Sequence, residues 1–181
     1  KGKYYEAMNK AIVDNDYSLQ ENRGVSITYA TETPSGYTDS GIDYVPERIE
    51  ILKSIDWSNV DYITIAYGTN DWTSDYLLDN DTNKYDTTTY LGAFRYSVEK
   101  LLTAYPQIKV LPITPLWRWW DSNTGASVYG DSDNRFNSIS GLSLVQFAEG
   151  LINASKQYHF DVFNAYYSCG YNKQNRLQYF F

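Results

Sequence analysis

At 181 residues the chain is long enough for one domain that buries roughly 70% of its unfolded surface. Fifteen basic residues against 22 acidic ones give a net charge of -7, which argues against nucleic acid as a partner, because binding a phosphate backbone draws most of its energy from Lys and Arg. One cysteine, Cys169, excludes an internal disulfide framework; one histidine, His159, implies no structural metal; and no apolar run of about 18 residues is present to span a bilayer.

Taken in order, Tyr4 to Asn15 reads as a helix with Tyr5, Met8, Ala11 and Ile12 on one face. Tyr17 to Gln20 reads as a short strand, and Asn22 to Tyr29 as the loop after it. Thr31 to Gly41, with Pro34, Gly36 and Gly41, is a surface connection. Pro46 opens a helix whose buried stripe is Ile49, Leu52 and Ile55. Val60 to Ala66 is an apolar run without clean alternation, the pattern of a strand covered on both faces, as in parallel sheets. It stops at Gly68-Thr69-Asn70-Asp71, four residue types that all favour turns; in open parallel sheets this strand end is also where ligands sit.

The polar stretch to Asp86 reads as a loop over the strand ends. Thr87 to Thr89 supply a cap for a helix with Leu91, Phe94, Val98, Leu101, Leu102 and Tyr105 at helical spacing up to Pro106. Ile108 to Thr114 is the next strand. Pro115 to Gly141 is a long connection, aromatic at its start with Trp117, Trp119 and Trp120. Leu142 to Tyr158 is the last clear helix, and Phe160 to Ala165 a final strand. Helix and strand in alternation make this one α/β domain over residues 1–181.

Gly68-Thr69-Asn70-Asp71 after a hydrophobic strand resembles the third block of the SGNH (GDSL-type) hydrolases, whose asparagine side chain helps form the oxyanion hole. Asn22-Arg23-Gly24-Val25-Ser26 looks like the second block, and Val110-Leu111-Pro112-Ile113-Thr114-Pro115 like the fourth strand and its loop. The resemblance covers nearly the whole chain in the right order, and the Gly-Thr-Asn-Asp piece is the specific one. It implies a three-layer α/β/α sandwich on a mostly parallel, flavodoxin-like sheet of order 2-1-3-4-5. Two blocks are absent: Gly-Asp-Ser with the nucleophile, and Asp-x-x-His with the base. The expectation is therefore a domain cut at both ends, with its first strand, its nucleophilic serine and its Asp/His pair outside these residues. An empty central slot would leave buried backbone groups unpaired at about 1–3 kcal/mol each.

Within that resemblance Asn70 is the side-chain donor of the oxyanion hole. The second donor is a backbone amide at Ile27, where the family has glycine, or at Gly24. Trp72, Trp117 and Arg118 follow the strand ends and are candidate walls of a substrate pocket. Gly130-Asp131-Ser132 spells the nucleophile motif but follows no hydrophobic strand and comes after Asn70, so it reads as a chance match. Asp75, Asp79, Asp81 and Asp86 read as a solvated acidic loop rather than a calcium site.

The function this implies is an ester hydrolase, needing no cofactor or metal, that removes small acyl groups such as acetyl from a carbohydrate or related small-molecule ester. The 19 tyrosines and 5 tryptophans suit such a surface as well as they suit ordinary packing. The competing expectation is a non-catalytic carbohydrate-binding or structural module of the same fold, in a phage tail or at a cell surface. Either setting is extracellular or virion-associated. A flavodoxin-like nucleotide or flavin binder shares the layer pattern but would need a glycine-rich phosphate loop, and the chain has none.

Overall fold

A computed structural model describes residues 3–18, 50–120 and 130–179. In chain order these form helix α1 (Lys3–Ile12), a helical stretch at 50–54, a 3-10 turn (Trp57–Asn59), strand β1 (Tyr62–Ile65), helix α2 (Thr69–Thr73) and helix α3 (Tyr90–Ala104). Strand β2 (Lys109–Pro112), the short strands β3 (Trp119–Trp120) and β4 (Gly130–Asp131), and helices α4 (Leu144–Lys156), α5 (Ala165–Ser168) and α6 (Arg176–Tyr179) follow.

β1 and β2 pair in parallel, with Ile63 opposite Val110 and Ile65 opposite Pro112. The next residue, Ile113, bridges Phe163 in the same sense, so the chain's last extended segment joins the same edge. This is an α/β fold on parallel strands, joined by the crossover through α3 that such pairing requires. Period-two alternation then decides burial. Ile65 and Val110 enter the core and Ile63 packs against it, whereas Tyr62, Thr64 and Lys109 on the other face are exposed. Burial on both faces was expected for this strand; among the described residues one face packs into the core.

α3 is the centre of the core. Thr89 caps it by accepting the Gly92 N–H at 3.2 Å. Leu91, Phe94, Val98 and Leu101 then recur at helical spacing and are all buried. The helix ends at Tyr105 because Pro106 disfavours helical backbone in the residue before it. α1 packs on α3 through Tyr5 and Ile12, and α4 through Leu144, Phe147, Ala148 and Leu151. Tyr90 stacks on Phe147 with ring centroids 5.6 Å apart. Each of these large side chains contributes about 1.5–3 kcal/mol by burial. α4 starts where Ser143 donates its N–H to Gln146 Oε1 at 2.9 Å, half of a capping box.

Three expected elements differ: the turn at 68–71 opens helix α2, the strand expected over Phe160 to Ala165 is a single bridge at Phe163 followed by α5, and the Tyr17 strand is absent among the described residues. Tyr17 to Gln20 was to be a strand, yet Ser18 is helical and its N–H is taken by Asp16 Oδ1 at 2.9 Å. That local bond from a side chain to the amide two residues on competes with an extended backbone. Gln20 itself, the Asn22 to Tyr29 loop, the Thr31 to Gly41 connection and Ile49 lie outside the described residues. Leu52 of the following helix packs with Ala11 and Tyr17 in a small satellite of the core.

Candidate functional site

Because β1, β2 and the Phe163 segment run in parallel, their carboxyl ends open on one edge. Three connections leave from that edge: Ala66 to Asn70, Thr114 to Arg118, and Asn164 to Tyr166. They are knitted together locally, since Thr114 Oγ1 accepts the Tyr166 N–H at 3.0 Å. The first connection turns at Gly68, whose φ of 124° is open to glycine and little else. A Cβ there would stand 2.6 Å from the Tyr90 hydroxyl, which is itself pinned by donating to Tyr67 O at 2.9 Å. The turn sets Asn70 on the first turn of α2 with its side chain exposed at the edge, while the next residue, Asp71, points inward and is 5% exposed. The sequence reading assigned Asp71 no role, because a carboxylate at the end of the turn-forming Gly-Thr-Asn-Asp run carries no signal of burial.

Gly24 and Ile27, the expected backbone donors, lie outside the described residues. Trp72 is enclosed: 2% exposed, its indole N–H donates to Leu142 O at 2.9 Å, and the Arg135 guanidinium lies over its ring. Trp117 is also buried, with its indole N–H on Asp133 Oδ2 at 3.0 Å. These two tryptophans were expected to wall a pocket; both are enclosed, with their indole N–H groups turned to Leu142 O and Asp133 Oδ2. Arg118 is half-buried, and desolvation, helped by the nearby Arg135, lowers the pKa of its guanidinium.

Ser132 of the Gly130-Asp131-Ser132 motif is fully buried and acts as a bolt. The Arg118 N–H donates to its Oγ at 3.1 Å, its own N–H returns a bond to Arg118 O at 2.9 Å, and its hydroxyl meets the Tyr166 hydroxyl at 2.9 Å. The Tyr166 hydroxyl in turn donates to Asp133 Oδ1. Donors and acceptors run in one direction, Arg118 to Ser132 to Tyr166 to Asp133, so each bond polarises the next. Burial and the Asp133 carboxylate hold the Tyr166 phenol well above its ordinary pKa, which keeps it a donor. Neither Tyr166 nor Asp133 was legible as a partner, since no spacing rule links residues 33 apart.

His159 is exposed just past α4, at φ 55°. The acidic loop is engaged piecemeal. Asp79 clamps the buried Arg95 with two bonds of 2.8 and 2.9 Å, Asp75 accepts the Ser138 N–H, and Asp86 binds Thr88 and Asn80. Among the described residues no three His, Cys, Asp or Glu side chains converge as metal ligands would.

Burial pushes the Asp71 carboxyl above its ordinary value. Its folded-state pKa thus exceeds the unfolded one near 3.9, and its favourable contribution is full below that pH and lost as pH rises through the folded value. Asp71→Asn is expected to melt higher than the parent at pH 7, with the difference closing toward pH 3.5. Melting curves across that range check this, and a difference independent of pH would contradict it.

No family model matches the chain, and neither does any curated protein. Solved structures do. A protein from Lactobacillus plantarum is 21% identical with a TM-score of 0.54, covering 67% of this chain and 54% of that one. A possible lipase from Chitinophaga pinensis is 19% identical with a TM-score of 0.50, covering 92% of this chain and 65% of that one. A third crystal structure is 20% identical with a TM-score of 0.54, covering 74% and 57%. The likeness is one of fold. In each case the chain spans less than two thirds of the length of the structure it matches. Among the described residues no helix is long and apolar enough to cross a membrane.

Proposed function

We propose that the chain is the middle of an SGNH-type serine ester hydrolase that removes acetyl or similarly small acyl groups from a carbohydrate ester. The observation that carries this reading is Asn70: a glycine-only turn holds it, exposed, at the carboxyl ends of the parallel strands. A neutral amide there can donate to the oxygen on which negative charge develops, without itself changing protonation. Ile27 or Gly24 supplies the second donor, and Arg118 borders the substrate. The nucleophile and its base are expected outside the 181 residues, and Ser132 is set aside as the nucleophile because its buried hydroxyl is held between the Arg118 N–H and the Tyr166 hydroxyl. The possible lipase among the fold neighbours is consistent with the reading.

The test is turnover of p-nitrophenyl acetate and of acetylated xylan by the protein expressed from its whole gene, with a fluorophosphonate probe to mark the serine. Saturable hydrolysis with labelling outside residues 1–181 is expected. A rate no higher than buffer on both substrates would defeat the catalytic reading and leave the non-catalytic module of the same fold.

A further inference from the structure

The bonds that tie Arg118 to Ser132 are made by the Arg118 backbone: its N–H donates to Ser132 Oγ at 3.1 Å and its O accepts the Ser132 N–H at 2.9 Å. The residue before it is held as well, because the Trp117 indole N–H donates to Asp133 Oδ2 at 3.0 Å. The other oxygen of that carboxylate takes the Tyr166 hydroxyl. One carboxylate thus ties the connection leaving β2 to the connection leaving the Phe163 segment. Tyr166 is anchored at its other end too, where its N–H donates to Thr114 Oγ1 at 3.0 Å.

A hydroxyl has one proton to give. That of Tyr166 goes to Asp133, so in the 2.9 Å contact between the two hydroxyls it is Ser132 that donates. The lone pairs of Ser132 Oγ are then turned to the Arg118 N–H. Without the Tyr166 hydroxyl, the fully buried Ser132 has no other acceptor for its proton among the described residues, and nothing keeps its lone pairs on that amide.

We infer that Tyr166 and Asp133 are positioning residues for Arg118: they orient Ser132, Ser132 fixes the Arg118 backbone, and that backbone aims the side chain that borders the substrate. Tyr166 is 4% exposed and works only through these neighbours. Binding groups need such a supporting shell, since a misplacement of about 1 Å can cost on the order of 10²-fold. The positioning role rests on the hydrolase reading, which supplies the substrate.

The experiment is steady-state kinetics on acetylated xylan with the protein expressed from its whole gene, comparing the parent with Tyr166→Phe, Asp133→Ala, Arg118→Gln and the Tyr166→Phe/Arg118→Gln double variant. Tyr166→Phe is expected to raise KM about tenfold and to leave kcat within about twofold, because the ring and the reacting groups stay in place. Asp133→Ala, at an exposed position, should move KM the same way, and it decides the matter if Tyr166→Phe does not fold. The double variant should show the KM of Arg118→Gln alone, since an effect carried through Arg118 cannot be lost twice. A merely structural bolt would lower the melting temperature and leave KM in place, or add its effect to that of Arg118→Gln. An unchanged KM in the folded variants, a fall in kcat alone, or additivity in the double variant overturns the positioning role while parental turnover keeps the hydrolase standing. A parent that turns over neither acetylated xylan nor p-nitrophenyl acetate defeats the hydrolase, and the positioning role with it.

Discussion

Asn70→Ala is expected to lower kcat for p-nitrophenyl acetate by about 10²–10³-fold, the loss that follows removal of one oxyanion donor, or about 2.7–4 kcal/mol. KM should barely change, because the bond is strongest when the oxygen carries charge and weak to the ground-state carbonyl. Stability should hardly change either, since the side chain is exposed and the short helix α2 keeps its backbone bonds, such as Ser74 N–H to Asn70 O at 2.9 Å. Asn70→Asp should be no better than alanine, as a carboxylate would repel the charge it is meant to receive. An alanine variant retaining kcat within about threefold would remove residue 70 from the chemistry.

Gly68→Ala should be strongly destabilising, because it combines a strained backbone with a close approach. Backbone strain at φ 124° costs about 1–3 kcal/mol, and a Cβ 2.6 Å from the Tyr90 hydroxyl adds an overpacking cost of about 1–3 kcal/mol. Against a total stability of about 5–15 kcal/mol, this should lower the melting temperature by roughly 5–20 °C. Gly130 provides the control: it has the same φ of 124° with no described residue within 4 Å of its Cβ position. Gly130→Ala should therefore show the strain alone. If the two variants melt together, the close approach of Tyr90 to the turn is not what fixes Gly68.

How much of this was legible in the sequence varies by element, for physical reasons. α3 announces itself, because a buried stripe at helical spacing, a capping Thr89 and a stopping Pro106 all agree; α4 was legible from its apolar stripe alone, and its Ser143 cap was missed by starting the helix at Leu142. β1 and β2 were legible as apolar runs, but which face they bury depends on what packs there, and no run of four residues records that. α2 was read as a turn because Gly-Thr-Asn-Asp serves a turn and a helix start equally well. The Tyr17 strand failed because one bond from Asp16 to the Ser18 N–H outweighed a weak strand pattern.

Asn70 and Arg118 both follow strand ends, and parallel pairing alone puts them on one edge. Trp72 and Trp117 follow the same strand ends, yet whether an indole faces solvent or core is settled by distant partners, Leu142 and Asp133. Asp71 was silent because its burial depends on Tyr5 and Tyr90, one from α1 and one from α3, which also rise in pKa where they are enclosed with it.

The bolt through Ser132 separates the skeleton of the rim from its dressing. Residues 117–118, 132–133 and 166 are locked by backbone amides and inward-facing groups, so outward side chains such as Tyr167, 61% exposed, can be exchanged without loosening the frame. Libraries that vary those outward positions should keep folding while their preferences diverge, whereas a change at the buried hydroxyl would unsettle all three segments together.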